Sequence, residues 1–180
     1  MRILFNVNSC FIWIVFWIFY VPCLYALCTT NCTMWIVTLF ILPVSSYYCN
    51  TTLSTLYLKW DQSVIIALSC IYHYYHDMRY VSLLIGIWYA FELYYTHKLT
   101  YVVIIAFVLL IICACTLFGT IELLSCACCV LTSSYCYYKR DQMQYSYVYY
   151  TTWWHIACTM LLLLATRTLI MIPSIPYFIS

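Results

Sequence analysis

Long apolar runs broken by single polar or charged residues set the plan of this chain. No formal charge falls between Arg2 and Lys59, and further uncharged runs fill 62–76, 80–91, 99–121, 123–138 and 142–166. A bilayer core is about 30 Å thick, and a helix rising about 1.5 Å per residue crosses it in about 20 apolar residues. The runs therefore predict helices over 62–76, 80–96, 99–118 and 151–172. The expected fold is all-α: a polytopic membrane bundle of about four spans behind an N-terminal signal or anchor.

Residues 1–28 read as a signal peptide or signal anchor. Arg2 opens the segment, Phe11 to Val21 is its apolar core, Pro22 breaks it, and Ala26-Leu27-Cys28 offers small residues for cleavage. Residues 29–60 read as a short lumenal segment with two glycosylation sequons, Asn31-Cys32-Thr33 and Asn50-Thr51-Thr52. A third, Asn8-Ser9-Cys10, is the rarer cysteine form. If both sequons are used, 34–48 cannot cross between them. That run is short and holds Pro43, so it reads as a lumenal or interfacial piece, with a re-entrant or tilted span as the alternative. Residues 61–118 hold three compact helices, of which 99–118 is the clearest span. Residues 119–150 are rich in cysteine and tyrosine. An interfacial placement of 123–138 keeps Lys139 and Arg140 cytosolic together with Arg79. In 151–172, Trp153 and Trp154 mark the interfacial end, and Arg167 can snorkel at the other. Residues 173–180 are a tail opened by Pro173.

Composition narrows the class. Only 7 Lys and Arg and 5 Asp and Glu are present, and 67% of the chain is hydrophobic. A soluble domain carries about a quarter charged residues, so lipid is the expected solvent. A net charge of +2 without a basic stripe is too small to suggest a nucleic-acid partner, and none is expected. With only 2 glycines, phosphate-cradling loops and a GxxxG packing motif are excluded. The 21 tyrosines and 7 tryptophans suit membrane interfaces, where the ring is buried and its polar tip stays wet.

Candidate chemistry lies in the cysteines and a few ionisable groups. Of 13 cysteines, Cys32 and Cys49 fall in the expected lumenal segment and are disulfide candidates, to each other or to a partner. Cys126, Cys128 and Cys129 are candidates for S-palmitoylation, or else small apolar helix fillers. The CxxC formed by Cys126 and Cys129 admits a membrane thiol oxidoreductase, which would need a second cysteine pair on the same side. His73 and His76 stand one turn apart and could line a path or hold a metal, but no paired Cys/His motif supports zinc. No metal and no cofactor is expected. Glu92 and Glu122 are intramembrane carboxylate candidates. Glu92 shares a helix face with Tyr89 and Tyr95, and either pairs with Lys98 at the interface or lines a pore.

The layout built on Asn31, Cys32, Cys49, Asn50 and three tightly spaced spans resembles the small multi-span envelope glycoproteins of nidoviruses, the arterivirus major glycoprotein in particular. The chain departs from that plan in lacking a long polar endodomain and in adding 151–172. The resemblance implies virion assembly and disulfide-linked pairing with another envelope protein, and no catalysis. The expected function is non-enzymatic association in secretory membranes, with a viroporin-like ion permeability as the alternative. The expected partners are the lipid bilayer and other membrane proteins in a homo- or hetero-oligomer. The expected location is the endoplasmic reticulum and secretory pathway, with virion envelope or plasma membrane as destinations.

Overall fold

The computed structural model describes residues 17–52, 54–96, 99–116 and 147–171, with 121, 124–125, 127–129, 131–132 and 135–136 between the last two stretches. The described elements are helices, and no strand occurs among them. They are α1 (Tyr20–Thr29), α2 (Thr33–Thr52), α3 (Thr55–Tyr75), α4 (Arg79–Phe91), α5 (Thr100–Thr116) and α6 (Tyr147–Met171). A π-turn at Glu92–Thr96 continues α4.

Local chemistry sets the boundaries. Ser54 caps α3 by accepting from the Leu56 amide at 3.2 Å, which satisfies one of the donors every helix start leaves open. The other end of α3 closes in a Schellman turn, where the Met78 amide reaches the His73 carbonyl at 2.9 Å and the Asp77 amide reaches Tyr74 at 3.3 Å. That turn requires a left-handed residue, and Asp77 supplies it with φ 59°. Extended backbone at Thr30 (φ −134°) ends α1. Pro43 sits inside α2, where its missing N–H leaves the Leu39 carbonyl without a helical donor.

Adjacent helices run antiparallel. Ser63 meets Tyr89 at 2.9 Å and the Cys70 thiol meets the Ser82 carbonyl at 3.7 Å, so α3 and α4 run in opposite senses. Ser69 binds the Ala106 carbonyl at 2.7 Å and Met78 touches Cys113, so α5 runs with α3. Trp35 faces Thr166 while Ser46 faces His155, so α2 opposes α6. The bundle thus has two ends. The α2–α3 turn, the end of α4 and the start of α6 lie at the first. The α1–α2 and α3–α4 turns, the end of α5 and the end of α6 lie at the second.

The core is continuous through α1, α2, α3 and α6, and includes Cys23, Ala26, Trp35, Leu39, Leu68 and Leu162. A second cluster of Ile66, Ile85, Leu99, Val102 and Ala106 joins α3, α4 and α5. The segment 34–48 is part of one 20-residue helix, about 30 Å long, packed along α3. Trp35 and Leu39 are fully buried in it. One described helix is by itself long and apolar enough to cross a bilayer, Thr152–Met171, with 56% of that stretch buried. The stretches Tyr20–Thr29, Thr33–Cys49 and Tyr101–Cys113 are shorter apolar helices.

Candidate functional site

Polar side chains gather inside this bundle in two layers. Counting 10 or 11 residues along α2, α3 and α6, the layers stand about 15 Å apart. At the first end, the Ser45 hydroxyl lies 3.0 Å from Asp61 Oδ1 and 3.0 Å from the Leu42 carbonyl. Its neighbour Ser46 meets His155 Nε2 at 3.2 Å. Phe19 packs tilted and Trp154 edge-on against the imidazole, with ring centroids at 4.8 and 4.6 Å. Asp61 is 6% exposed and His155 1%. One turn further on α6 lies Thr159, whose buried hydroxyl has no hydrogen-bond partner among the described residues.

At the second end, the Trp35 indole donates to Thr166 Oγ1 at 3.0 Å. Thr168 donates its own proton to the Ala165 carbonyl at 2.8 Å, so it accepts from the Tyr72 hydroxyl at 2.6 Å. His76 Nε2 approaches the same oxygen at 3.4 Å. Between the layers lies an apolar plug of Leu39, Leu42, Val64, Leu68, Cys158 and Leu162. Each layer ties α2 and α3 to α6 by bonds that hydrocarbon cannot replace.

The residues singled out by sequence fall in different places. His73 Nδ1 lies 2.7 Å from the Ser69 carbonyl of its own helix, so that nitrogen carries the proton and donates. His73 and His76 therefore bind different partners. Among the described residues no group of three His, Cys, Asp or Glu could hold a metal. Glu92 accepts from the Trp88 indole at 3.0 Å, one turn back on its own helix. Tyr89 turns instead to Ser63. Lys98 and Glu122 lie outside the described residues. Cys128 is exposed and Cys129 half-buried, both as free thiols, while Cys126 lies outside the described residues.

Asn31 is exposed in the α1–α2 turn, and Asn50 lies in the last turn of α2, on the order of 28 Å away along the helix. Cys32 and Cys49 stand about 25 Å apart by the same count. A disulfide holds its Cα atoms within about 7 Å, so these two do not bridge each other, and each remains a candidate only for a partner.

Sequence reading missed Asp61, His155 and the Ser45-Ser46 pair. The signal was present: an ionisable residue beside an apolar run is a functional candidate. The predicted span opens at 62, leaving Asp61 outside it, and the interfacial end of 151–172 is marked by Trp153 and Trp154 alone. Only packing shows that both point inward. No protein-family model matches the chain, no curated protein matches it, and no solved structure matches it.

Proposed function

We propose that this chain is a multi-pass integral membrane protein that acts without chemistry of its own, by associating with other membrane proteins in the secretory pathway. The observation that carries this reading is a widely apolar exterior around a core that also encloses polar groups. Ser45, Ser46, Asp61, His155, Thr166 and Thr168 are buried, while Leu84, Ile87, Ile104, Val108, Phe40 and Val37 are exposed. In water that exterior would drive aggregation. In a bilayer it is the solvated surface, and the inward polar groups are the ones that need protein partners.

The virion setting rests on the resemblance of layout alone. The stretch that was to form its glycosylated ectodomain is occupied mainly by α2.

Alkaline carbonate extraction of membranes from expressing cells tests the reading. The chain should stay in the pellet, and chemical cross-linking in the membrane should give discrete oligomers. Release into the supernatant would overturn it. A second reading, ion permeability, draws on buried Asp61 and His155. The apolar plug opposes it, because no polar side chain of the two layers bridges that gap. Cation currents in reconstituted bilayers that are lost in Asp61→Asn would favour permeability.

A further inference from the structure

Exposed tyrosine and tryptophan side chains gather at the two ends of the bundle. Helix register sets their heights. The Ser63–Tyr89 and Cys70–Ser82 contacts agree on one register between α3 and α4. It puts Tyr94 about level with Leu58, and Tyr80 level with Tyr72. The Ser45–Asp61 and Ser46–His155 contacts bring Tyr48 of α2 and Trp153 of α6 level with Leu58 as well. Tyr48, Tyr94 and Trp153 are exposed, and exposed Trp60 stands two residues further in, so these rings form a first rim. Tyr74 and Tyr80 are exposed at the second end and form the other, where the Arg79 guanidinium lies 5.4 Å over the Tyr74 ring.

Between the rims the exposed side chains are hydrocarbon, such as Val37 and Phe40 on α2, Leu83, Leu84 and Ile87 on α4, and Ile104 on α5. Exposed Tyr101 stands deeper, level with Val64 by the Ser69–Ala106 contact. Helix side chains lean toward the N-terminus, which for α5 is the first end, so its hydroxyl reaches back toward that rim. Leu58 and Tyr74 are 16 residues apart, which makes the belt about 24 Å tall on α3. Charge gives a similar height independently. Arg79 opens α4 and Glu92 follows its last residue, and the 13 residues of that helix rise only about 20 Å. Any tilt of the bundle lowers the belt further. Hydrocarbon is about 30 Å thick in an average bilayer, about 27 Å in the endoplasmic reticulum and about 32–33 Å in the plasma membrane.

We infer that this exterior is a lipid-binding belt cut for a thin bilayer, one of short acyl chains, with its two faces at the level of the aromatic rims. This rests on the membrane reading above and adds the lipid that the surface takes. At a matched thickness the rings keep their apolar bodies in hydrocarbon and their hydroxyl and indole N–H tips among the headgroups. A thicker bilayer draws those tips into hydrocarbon, where they lose their hydrogen bonds to water. At the second end it also reaches the Asp77–Arg79 pair, which stands just beyond Tyr74. Among the membranes of the secretory pathway, the endoplasmic reticulum mismatches this belt least and the plasma membrane most. The belt therefore matches the chain to the earlier compartment.

The test reconstitutes the full-length chain into vesicles of a single phosphatidylcholine: dimyristoleoyl, dioleoyl or dierucoyl, in order of increasing thickness. All three carry monounsaturated chains and stay fluid, so thickness is what varies. Thermal unfolding is followed by circular dichroism. The midpoint should be highest in the dimyristoleoyl lipid and fall by about 2–4 °C or more at each longer one. The double variant Tyr74→Leu, Tyr80→Leu removes the second rim at two exposed positions and leaves the core intact. Its best lipid should move to the dioleoyl form. A flat profile for the native chain, or a maximum in the dioleoyl or dierucoyl lipid, would overturn the thin-bilayer match. An unmoved maximum in the variant would overturn the rim at Tyr74 and Tyr80. If the variant does not fold, the native profile decides alone. Carbonate release of the chain would instead sink the membrane reading itself, so the two failures are distinguishable.

Discussion

The hydrogen bond from Tyr72 to Thr168 joins α3 to α6 inside the second polar layer, and its two ends should respond unequally to deletion. Tyr72→Phe removes the donor. Thr168 still donates to Ala165, so only an acceptor lone pair is left unused. The expected loss is that of one net hydrogen bond, about 0.5–1.5 kcal/mol. Thr168→Val keeps the shape and removes the acceptor, which strands a buried phenolic O–H on a residue that is 0% exposed. Leaving a buried donor unsatisfied costs about 1–3 kcal/mol. Once both groups are gone nothing is stranded, so the double variant should lose less than the sum. The coupling should be about 0.6 kcal/mol or somewhat more, in line with interhelical bonds in membrane proteins. Reversible unfolding in bicelles of wild type, both single variants and the double variant closes the cycle. Equal losses in the two single variants, with additivity in the double, would refute the donor assignment and the cross-helix role of this layer.

Asp77→Gly should raise stability by about 0.5–1 kcal/mol in the same assay, because glycine adopts the left-handed turn freely and the Asp77–Arg79 pair is too exposed to matter. Ser54→Ala should cost about 1 kcal/mol through loss of the α3 cap, and Ser54→Asp should restore most of it. His76 lies in the turn beyond α3, where burial, and then neighbouring His73, push its imidazole down from 6.5 to about 4. The unfolded chain takes up this proton near 6.5 and the folded chain only near 4, so stability from this group is full above 6.5 and falls as pH drops through that window. A His76→Gln variant should show a shallower loss across it in acid titrations of the purified protein. The helix α1 is packed into the core through Cys23 and Ala26, so intact-mass measurement should find it retained in the mature protein, and a mature chain beginning at Thr29 would contradict the packing.

The sequence by itself determined that the described part of the chain is helical and made of long apolar runs. Runs such as 99–116 and 151–171 have too few charges to cover a water-facing surface, and their length and continuity specify helix without reference to any neighbour. One turn was legible as well, because His76-Asp77-Met78 separates the apolar runs 62–76 and 80–96. What the sequence could not determine was which face of each helix turned inward. Glu92 and the His73/His76 pair stood out as isolated polar residues. Yet Glu92 is satisfied by Trp88 and His73 by Ser69, both within their own helices. Asp61 and His155 drew no reading from the sequence, and it took α2 packed against α3 and α6 to show that they meet Ser45 and Ser46 inside the bundle. The same packing turned 34–48 into a helix with one face buried. Apolar runs report the solvent a segment prefers, because transfer energy is additive along the chain. The partner a polar atom finds depends on helix direction and register, and those exist only once the bundle has formed.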